Sequence, residues 1–125
     1  MIKGIGIDMV EVDRLRHIIQ RWGERARKRM FTPEELACAT SRKQGEFIYL
    51  AGRFAAKEAV VKSLGQYTDW SEIEISREEN GSPRVTLKGK TKETARERKV
   101  KEILVTLSHT KTYAIAEAVA LGENQ

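Results

Sequence analysis

The sequence predicts an α+β protein in which a mainly antiparallel sheet packs against one long helix and several shorter ones. Three observations lead to this fold class. Apolar residues alternate in an N-terminal segment and in two pairs of later segments, as they do in β-strands. Between these segments they recur every three to four residues, as in helices. The resulting order is β-α-α-α-β-β-α-β-β, and strands joined by short turns pair in antiparallel fashion.

The first strand is indicated by KGIGIDMV, residues 3–10, in which side chains alternate between two faces. One face carries Ile5, Ile7 and Met9. The other face carries two glycines followed by Asp8 and Val10. Glycine weakens a strand unless another group must approach the backbone closely. We therefore expect this face to let a bulky ligand or an ion reach the Asp8 carboxylate.

The first helix is predicted from about Val12 to Lys28, because apolar residues recur there at helical spacing. Its apolar face is formed by Leu15, Ile18, Ile19, Trp22 and Ala26. On a different face, within about 60° of one another, lie four residues that we call the basic stripe: Arg14, Arg21, Arg25 and Lys28. Such a stripe is most often simply solvated, but it also suits an anionic partner.

Two further helices have clear end signals. TPEE, starting at Thr32, combines an N-cap, a proline in the first turn and a glutamate for a capping box, and this helix extends to about Ser41. The next helix is predicted from Glu46 to Leu64. Gly65 follows it and suits the left-handed backbone conformation that commonly ends a helix.

Four strands and one more helix are predicted in the second half of the chain. ENGS, around Asn80 and Gly81, is a hairpin turn, and SHTKTY joins the last two strands. The predicted segments are strands at 72–76 and 84–87, a polar helix at 90–99, and strands at 103–107 and 114–121.

Composition restricts the cellular setting and the kind of partner. The 125 residues suffice for one domain, 1–125, and contain no apolar run long enough to cross a bilayer. The single cysteine, Cys38, cannot form an intramolecular disulfide, so we expect a cytoplasmic protein. The net charge of +5 favours an anionic partner. Aromatic residues make up 6% of the chain and no nucleic-acid-reading motif is present, so we expect no nucleic-acid partner and no membrane association.

Three acidic and basic side chains could form a chemical site. Glu58 and Lys62 stand one helical turn apart, in the order that favours a surface ion pair, yet their flanks are apolar and a buried charge needs a partner or a metal. Asp8 and Glu58 together could hold Mg²⁺, which keeps several waters and shares its coordination with a substrate phosphate. His109, in the turn SHTK, is either simply exposed or helps to bind an anion.

Three sequence blocks together resemble the 4′-phosphopantetheinyl transferases, and in particular the short group of that family. They are GIGIDMVEVDRL at 4–15, LAGRFAAKEAVVKSLG at 50–65 and LSHTKTYAIAEAV at 107–119. Weaker blocks, RMFTPEEL and IEISREENGSPRV, extend the resemblance to nearly the whole chain. It implies the fold of that family and transfer of the phosphopantetheine arm of coenzyme A to a serine of apo-acyl carrier protein. This reaction releases 3′,5′-ADP and supports fatty acid biosynthesis.

The resemblance also implies a role for individual residues. Asp8 and Glu58 would be the Mg²⁺ ligands. Glu58 would help to deprotonate the serine, directly or through a water held by the metal. Lys62 would neutralise or protonate the departing phosphate oxygen. Further contacts with coenzyme A are implied for the phosphate-binding residues Arg53, His109 and Thr110 and for the backbone positions Gly65, Gly81 and Pro83.

The same resemblance implies two kinds of protein partner. Acyl carrier proteins are acidic, so Arg14, Arg21 and Arg25 would dock them. Family members of this size are homotrimers with active sites between subunits, which would bury the sheet faces. The chain departs from the family at QYTDWSE, residues 66–72, which is shorter than the usual glycine-rich loop. Coenzyme A contacts from that loop therefore do not carry over.

Two other functions remain open from the sequence. One is a non-enzymatic basic module that binds RNA or acidic proteins. The other is a different Mg²⁺-dependent phosphotransferase on the same scaffold. The combination of Asp8, Glu58 and Lys62 distinguishes the enzymes from the binding module, which has no need of it.

Overall fold

The structure, a computed structural model, describes residues 1–42 and 45–123 and has the predicted order of elements. The strands and helices are β1 (Ile2–Glu11), α1 (Val12–Met30), α2 (Pro33–Thr40), α3 (Glu46–Leu64), β2 (Ile73–Arg77), β3 (Pro83–Leu87), α4 (Gly89–Glu97), β4 (Val100–His109) and β5 (Tyr113–Gly122), with a short 3₁₀ turn at Trp70–Glu72. The predicted α+β class is confirmed. The predicted bounds of α3 are confirmed as well, since Gly65 ends it at φ 71°.

Strands β1, β5 and β4 form an antiparallel sheet in that order, and β2 and β3 form a separate antiparallel hairpin. One face of β5 consists of small, buried side chains: Ala114, Ala116, Ala118 and Ala120. Helix α3 lies across this face. Because small side chains occupy little depth, the helix approaches the sheet closely, and the side chains on α3 can reach over the edge strand β1.

The glycines of β1 serve this close approach, and the expectation that they admit a ligand is wrong. A Cβ atom at Gly4 would lie 2.0 Å from the carbonyl oxygen of Ser63, and one at Gly6 would lie 2.0 Å from that of Ala59. Both oxygens belong to α3, so helix backbone fills the space beside these glycines. Glycine is the only residue that lets the two backbones meet at this distance.

Helix α1 differs from its prediction at one point. Gly23 has φ 59° and ψ −138°, which is not helical and kinks α1 in its middle. The basic stripe is exposed as predicted, but the kink interrupts its helical spacing between Arg21 and Arg25. Two residues of the predicted apolar face also lie on the surface, with Ile18 37% and Trp22 55% exposed. Only the other three residues of that face, Leu15, Ile19 and Ala26, are buried in the core.

Glu35 and Lys57 form a buried ion pair that the sequence interpretation missed. Glu35 closes the predicted capping box, because it accepts a hydrogen bond from the Thr32 N–H at 2.8 Å. Its carboxylate also accepts one from the Ile75 N–H and lies 2.6 Å from Nζ of Lys57. Nζ in turn donates to the Trp70 carbonyl at 3.0 Å. One buried pair thus joins α2, α3, β2 and the 3₁₀ turn.

The face of the larger sheet that points away from α3 is apolar and uncovered in the single chain. Its exposed large side chains include Ile5, Ile7, Met9, Leu104 and Ile115. Large apolar patches of this kind mark interaction surfaces. None of the helices among residues 1–42 and 45–123 combines the length and the apolar character that a membrane crossing requires.

Candidate active site

Lys62 of α3 reaches over the glycines of β1 to Asp8. Its Nζ donates to the Ile7 carbonyl at 2.9 Å and to Oδ1 of Asp8 at 3.2 Å. Among the described residues, Asp8 is the only carboxylate that ion-pairs with this lysine, so the pair with Glu58 considered from helical spacing does not form. The close contact between α3 and β1 therefore brings together residues that are 54 positions apart in the chain.

Glu58 lies beside this pair and is half-buried. Burial raises the pKa of its carboxyl group, and the negative charge of Asp8 raises it further. The indole of Trp70 and the ammonium of Lys62 act in the opposite direction. The Trp70 Nε1 is buried but completes no hydrogen bond of ordinary geometry within the described part of the chain. The charges of Asp8 and Glu58 therefore repel each other at this site.

The chemistry of these two carboxylates fits a hard divalent cation. No group of three or more acidic, histidine or cysteine side chains suited to a metal occurs in the part of the chain that the structure describes. Two carboxylates alone are a typical protein contribution to Mg²⁺, which retains waters and binds substrate phosphate. A cation here would also relieve the repulsion between Asp8 and Glu58.

A second group of predicted residues lines a cavity of about 370 Å³, which we call the Arg53 cavity. Its walls include the predicted residues Arg53, Gly81, Pro83 and His109, together with Arg77 and Ser108. Arg53 is only 5% exposed, and its Nε has no hydrogen-bond partner among the described residues. A buried cation without a carboxylate partner is costly, so the cavity favours an anion.

The remaining predicted contacts lie close to one or the other group. Thr110 follows β4, directly after His109, and its Oγ1 accepts hydrogen bonds from the N–H groups of Thr112 and Tyr113. This oxygen therefore shapes the turn. Gly65 lies one turn beyond Lys62, where a Cβ would be 3.2 Å from Nη1 of Arg98.

Within one chain, α3 carries the two groups on different faces. Arg53 precedes Glu58 by five residues and Lys62 by nine, which corresponds to rotations of about 140° and about 180° around a helix. The structure brings Asp8, Glu58 and Lys62 together but places Arg53 on the far side of α3. One helix therefore presents the Arg53 face and a carboxylate–lysine face in opposite directions.

The sequence interpretation missed three residues at these sites. Trp70 packs edge-to-face on Phe54, with ring centroids 5.0 Å apart, next to Glu58. Arg77 lines the Arg53 cavity, and Tyr49 packs beneath Arg53. The sequence pointed only weakly to Arg77 and Tyr49: Arg77 is a basic residue just before the ENGS turn, and Tyr49 is an aromatic residue one helical turn before Arg53. Trp70 had none, because its position depends on a long-range contact.

The chain belongs to the 4′-phosphopantetheinyl transferase superfamily, whose family profile matches residues 4–118. It is therefore an enzyme, a transferase, which excludes the non-enzymatic binding module. Its relatives include the holo-[acyl-carrier-protein] synthase of Halothermothrix orenii, 40% identical over 95% of this chain and 97% of that protein. The synthase of Moorella thermoacetica is 47% identical over 91% of this chain and 90% of that protein.

Solved structures of holo-[acyl-carrier-protein] synthases share the fold. The Plasmodium yoelii enzyme superposes with a TM-score of 0.89 at 35% identity, covering 99% of this chain and 98% of that one. The Bacillus anthracis enzyme in complex with CoA (3′,5′-ADP) gives 0.80 at 28% identity, covering 98% and 99%. The Helicobacter pylori enzyme in complex with coenzyme A gives 0.81 at 27% identity, covering 94% and 99%. The resemblance read from the sequence blocks is confirmed.

Proposed function

We propose that the chain is a holo-[acyl-carrier-protein] synthase. It moves the 4′-phosphopantetheine group of coenzyme A to a serine of apo-acyl carrier protein and releases 3′,5′-ADP. The observation that carries this proposal is the meeting of Asp8, Glu58 and Lys62 at one point of a transferase fold. The proposed setting is fatty acid biosynthesis in the cytoplasm, as the family resemblance of the sequence blocks implies.

The proposed mechanism assigns one task to each of the three residues. The serine oxygen attacks the phosphorus that carries the pantetheine arm, and the bond from that phosphorus to the oxygen of the ADP portion breaks. Glu58 accepts the serine proton as a general base. Lys62 neutralises the charge that develops on the departing phosphate oxygen. Asp8 orients Lys62 through their hydrogen bond.

Mg²⁺ is the proposed cofactor, with Asp8 and Glu58 as its protein ligands. When bound, it supplies positive charge to the diphosphate oxygens. Asp8 and Glu58 offer hard oxygen donors, and their mutual repulsion favours a cation between them. We therefore expect chelation of divalent cations to abolish transfer and added Mg²⁺ to restore it.

The proposed docking surface for the carrier protein is the basic stripe, in particular Arg14, Arg21 and Arg25, all of which are exposed. Their charges complement an acidic carrier. We expect Arg14→Glu to raise the KM for the carrier protein without changing the KM for coenzyme A. The rise is expected to be smaller in high salt, because salt screens exposed charges. Steady-state transfer rates at two salt concentrations measure this. An unchanged dependence on carrier concentration contradicts the docking role.

The proposed assembly is a homotrimer with active sites between subunits. Two features support it. The Arg53 cavity and the Asp8 group lie on opposite sides of α3 in one chain, and a site shared with a neighbouring chain would let one coenzyme A molecule contact both. The sheet face that carries Ile5, Ile7 and Met9 is apolar and uncovered, as expected of a surface between subunits.

The decisive experiment is a transfer assay. The chain is incubated with coenzyme A, Mg²⁺ and an apo-acyl carrier protein, and the carrier is weighed by intact-protein mass spectrometry. We expect a gain equal to one phosphopantetheine group, lost when the acceptor serine is replaced by alanine. No gain with several carrier proteins contradicts the proposal.

A further inference from the structure

Arg53 is a buried cation whose guanidinium group makes no hydrogen bond of ordinary geometry with the residues that the structure describes. It is 5% exposed, no carboxylate ion-pairs with it among the described residues, and its Nε is buried without a partner. A guanidinium group normally takes its orientation from bidentate hydrogen bonds. Before a ligand arrives, packing must therefore hold this group.

Tyr49 supplies that packing. It stands four residues before Arg53 on α3, so the two side chains are neighbours on one helix face. The guanidinium carbon of Arg53 lies 4.4 Å from the centroid of the Tyr49 ring, within the range of a cation–π contact. Arg42 lies 4.5 Å from the same centroid. The tyrosine is thus in contact with two cations.

The ring itself is held in a neutral, half-buried state. Burial raises the pKa of the Tyr49 hydroxyl above its ordinary value, while the charge of Arg53 opposes this shift. A neutral ring offers its π face to a guanidinium group without competing for it as an anion. The contact therefore orients Arg53 and leaves its positive charge available to the cavity.

We propose that Tyr49 is a positioning residue, which holds the guanidinium of Arg53 ready for a phosphate group in the Arg53 cavity. This inference rests on the proposed function, because it takes coenzyme A as the ligand. The phosphorus that reacts must lie at the Asp8 group. The other anionic group of coenzyme A, the phosphate on the 3′ oxygen of its ribose, is the one left for a cavity on the opposite side of α3.

The test compares coenzyme A with 3′-dephospho-coenzyme A as substrates. We expect Tyr49→Leu to raise the KM for coenzyme A about tenfold, consistent with loss of a desolvated cation–π contact, with kcat unchanged. The KM for 3′-dephospho-coenzyme A stays at the wild-type value, since that substrate lacks the phosphate that Arg53 meets. Tyr49→Phe keeps the aromatic face and restores the wild-type KM for coenzyme A.

Phe47→Leu is the matched control. Phe47 lies on the same helix and also contacts two arginines, with Arg16 5.2 Å and Arg27 6.0 Å from its ring centroid, but neither of these arginines lines the Arg53 cavity. We expect this variant to keep the preference for coenzyme A over its dephosphorylated form. If Tyr49→Leu does not fold, as judged by circular dichroism, Tyr49→Met fills the space without an aromatic face and is tested in its place.

Two outcomes overturn the positioning role. One is that Tyr49→Leu raises the KM equally for both substrates, which indicates general damage to the fold. The other is that Tyr49→Leu keeps the wild-type preference for coenzyme A over 3′-dephospho-coenzyme A while Arg53→Ala loses it. That result supports the role of Arg53 and contradicts the role of Tyr49. Failure of the proposed function looks different, because the wild-type chain then transfers nothing from coenzyme A and binds no 3′,5′-ADP by calorimetry.

Discussion

At the scale of single residues, Glu58 shows a conflict between function and stability. Its carboxylate is half-buried and faces the charge of Asp8, and both effects raise its pKa. The folded chain therefore binds the Glu58 proton more tightly than the unfolded chain does. The charged form costs stability, and this cost appears as the pH rises through the interval between the unfolded and the folded pKa.

We predict that Glu58→Gln abolishes transfer without destabilising the protein. The rate falls at least about a hundredfold, as expected for loss of a general base. At neutral pH the melting temperature stays equal or rises, because the amide removes a charge that the fold disfavours. This gain disappears in acid, where Glu58 itself is protonated. Transfer assays with Mg²⁺ measure the rate, and thermal melts at neutral and acidic pH without divalent cations measure the stability. A clear drop in melting temperature at neutral pH contradicts the prediction.

The buried pair Glu35–Lys57 leads to a second prediction at this scale. Burial lowers the pKa of Lys57, while the charge of Glu35 opposes this shift. Removal of one partner leaves the other charge buried alone, so Lys57→Met is expected to cost about 3–5 kcal/mol of unfolding free energy. Urea unfolding measures it.

The double variant Glu35→Gln/Lys57→Met tests the coupling between the two charges. It is expected to lose less stability than the sum of its single variants, because no lone buried charge remains. The exposed pair Glu93–Arg96 provides the control, since removing it is expected to cost under about 1 kcal/mol. Strict additivity of the buried substitutions contradicts the coupling.

At the scale of elements, the distance between α3 and β1 determines the site. A Cβ at Gly6 would lie 2.0 Å from a backbone oxygen of α3, which a side-chain rotation cannot relieve. We predict that Gly6→Ala pushes the helix away from the strand, separates Lys62 from Asp8, and lowers both the melting temperature and the transfer rate.

Gly52→Ala is the control for this prediction, because it adds the same methyl group inside α3. Its Cβ would lie 3.4 Å from Cδ1 of Leu107, a side chain that can move. Alanine is also the better helix former by up to about 1 kcal/mol, so this variant is expected to be neutral or more stable. Comparable losses in both variants contradict the role given to Gly6.

The sequence was informative where local chemistry decides, and less so where distant elements meet. The bounds of α3 follow from its periodicity and from Gly65, and the capping box at Thr32 follows from four consecutive residues. The partner of Lys62 does not follow from helical spacing, because it lies on β1. The exposure of Trp22 could not be predicted from the sequence either, because it depends on which residues of α1 the core covers.

At the scale of the whole molecule, the two faces of α3 lead to a prediction about subunits. Arg53→Ala and Lys62→Ala chains are each expected to be poorly active when coenzyme A is scarce. In a trimer that mixes both, one of the three interfaces combines an intact Arg53 with an intact Lys62, which amounts to about a quarter of all interfaces if assembly is random. We predict that co-expression of the two variants restores activity to about that fraction.

The controls for this experiment are the two variants purified separately and then assayed together without exchange. Light scattering establishes the oligomeric state of each sample. If each site lies within a single chain, every chain in the mixture is defective and no activity returns, which contradicts the shared site.

Placing both faces on α3 has a genetic consequence. In the proposed trimer, each helix takes part in two active sites, one on either side of it. If a chain that carries both Arg53→Ala and Lys62→Ala assembles with normal chains into this trimer, it disables both of the sites that it borders. A single defective copy among normal ones therefore removes roughly two thirds of the activity of its trimer. In such a trimer the allele is expected to act dominantly, because the loss of activity in the cell exceeds the allele's share of the protein.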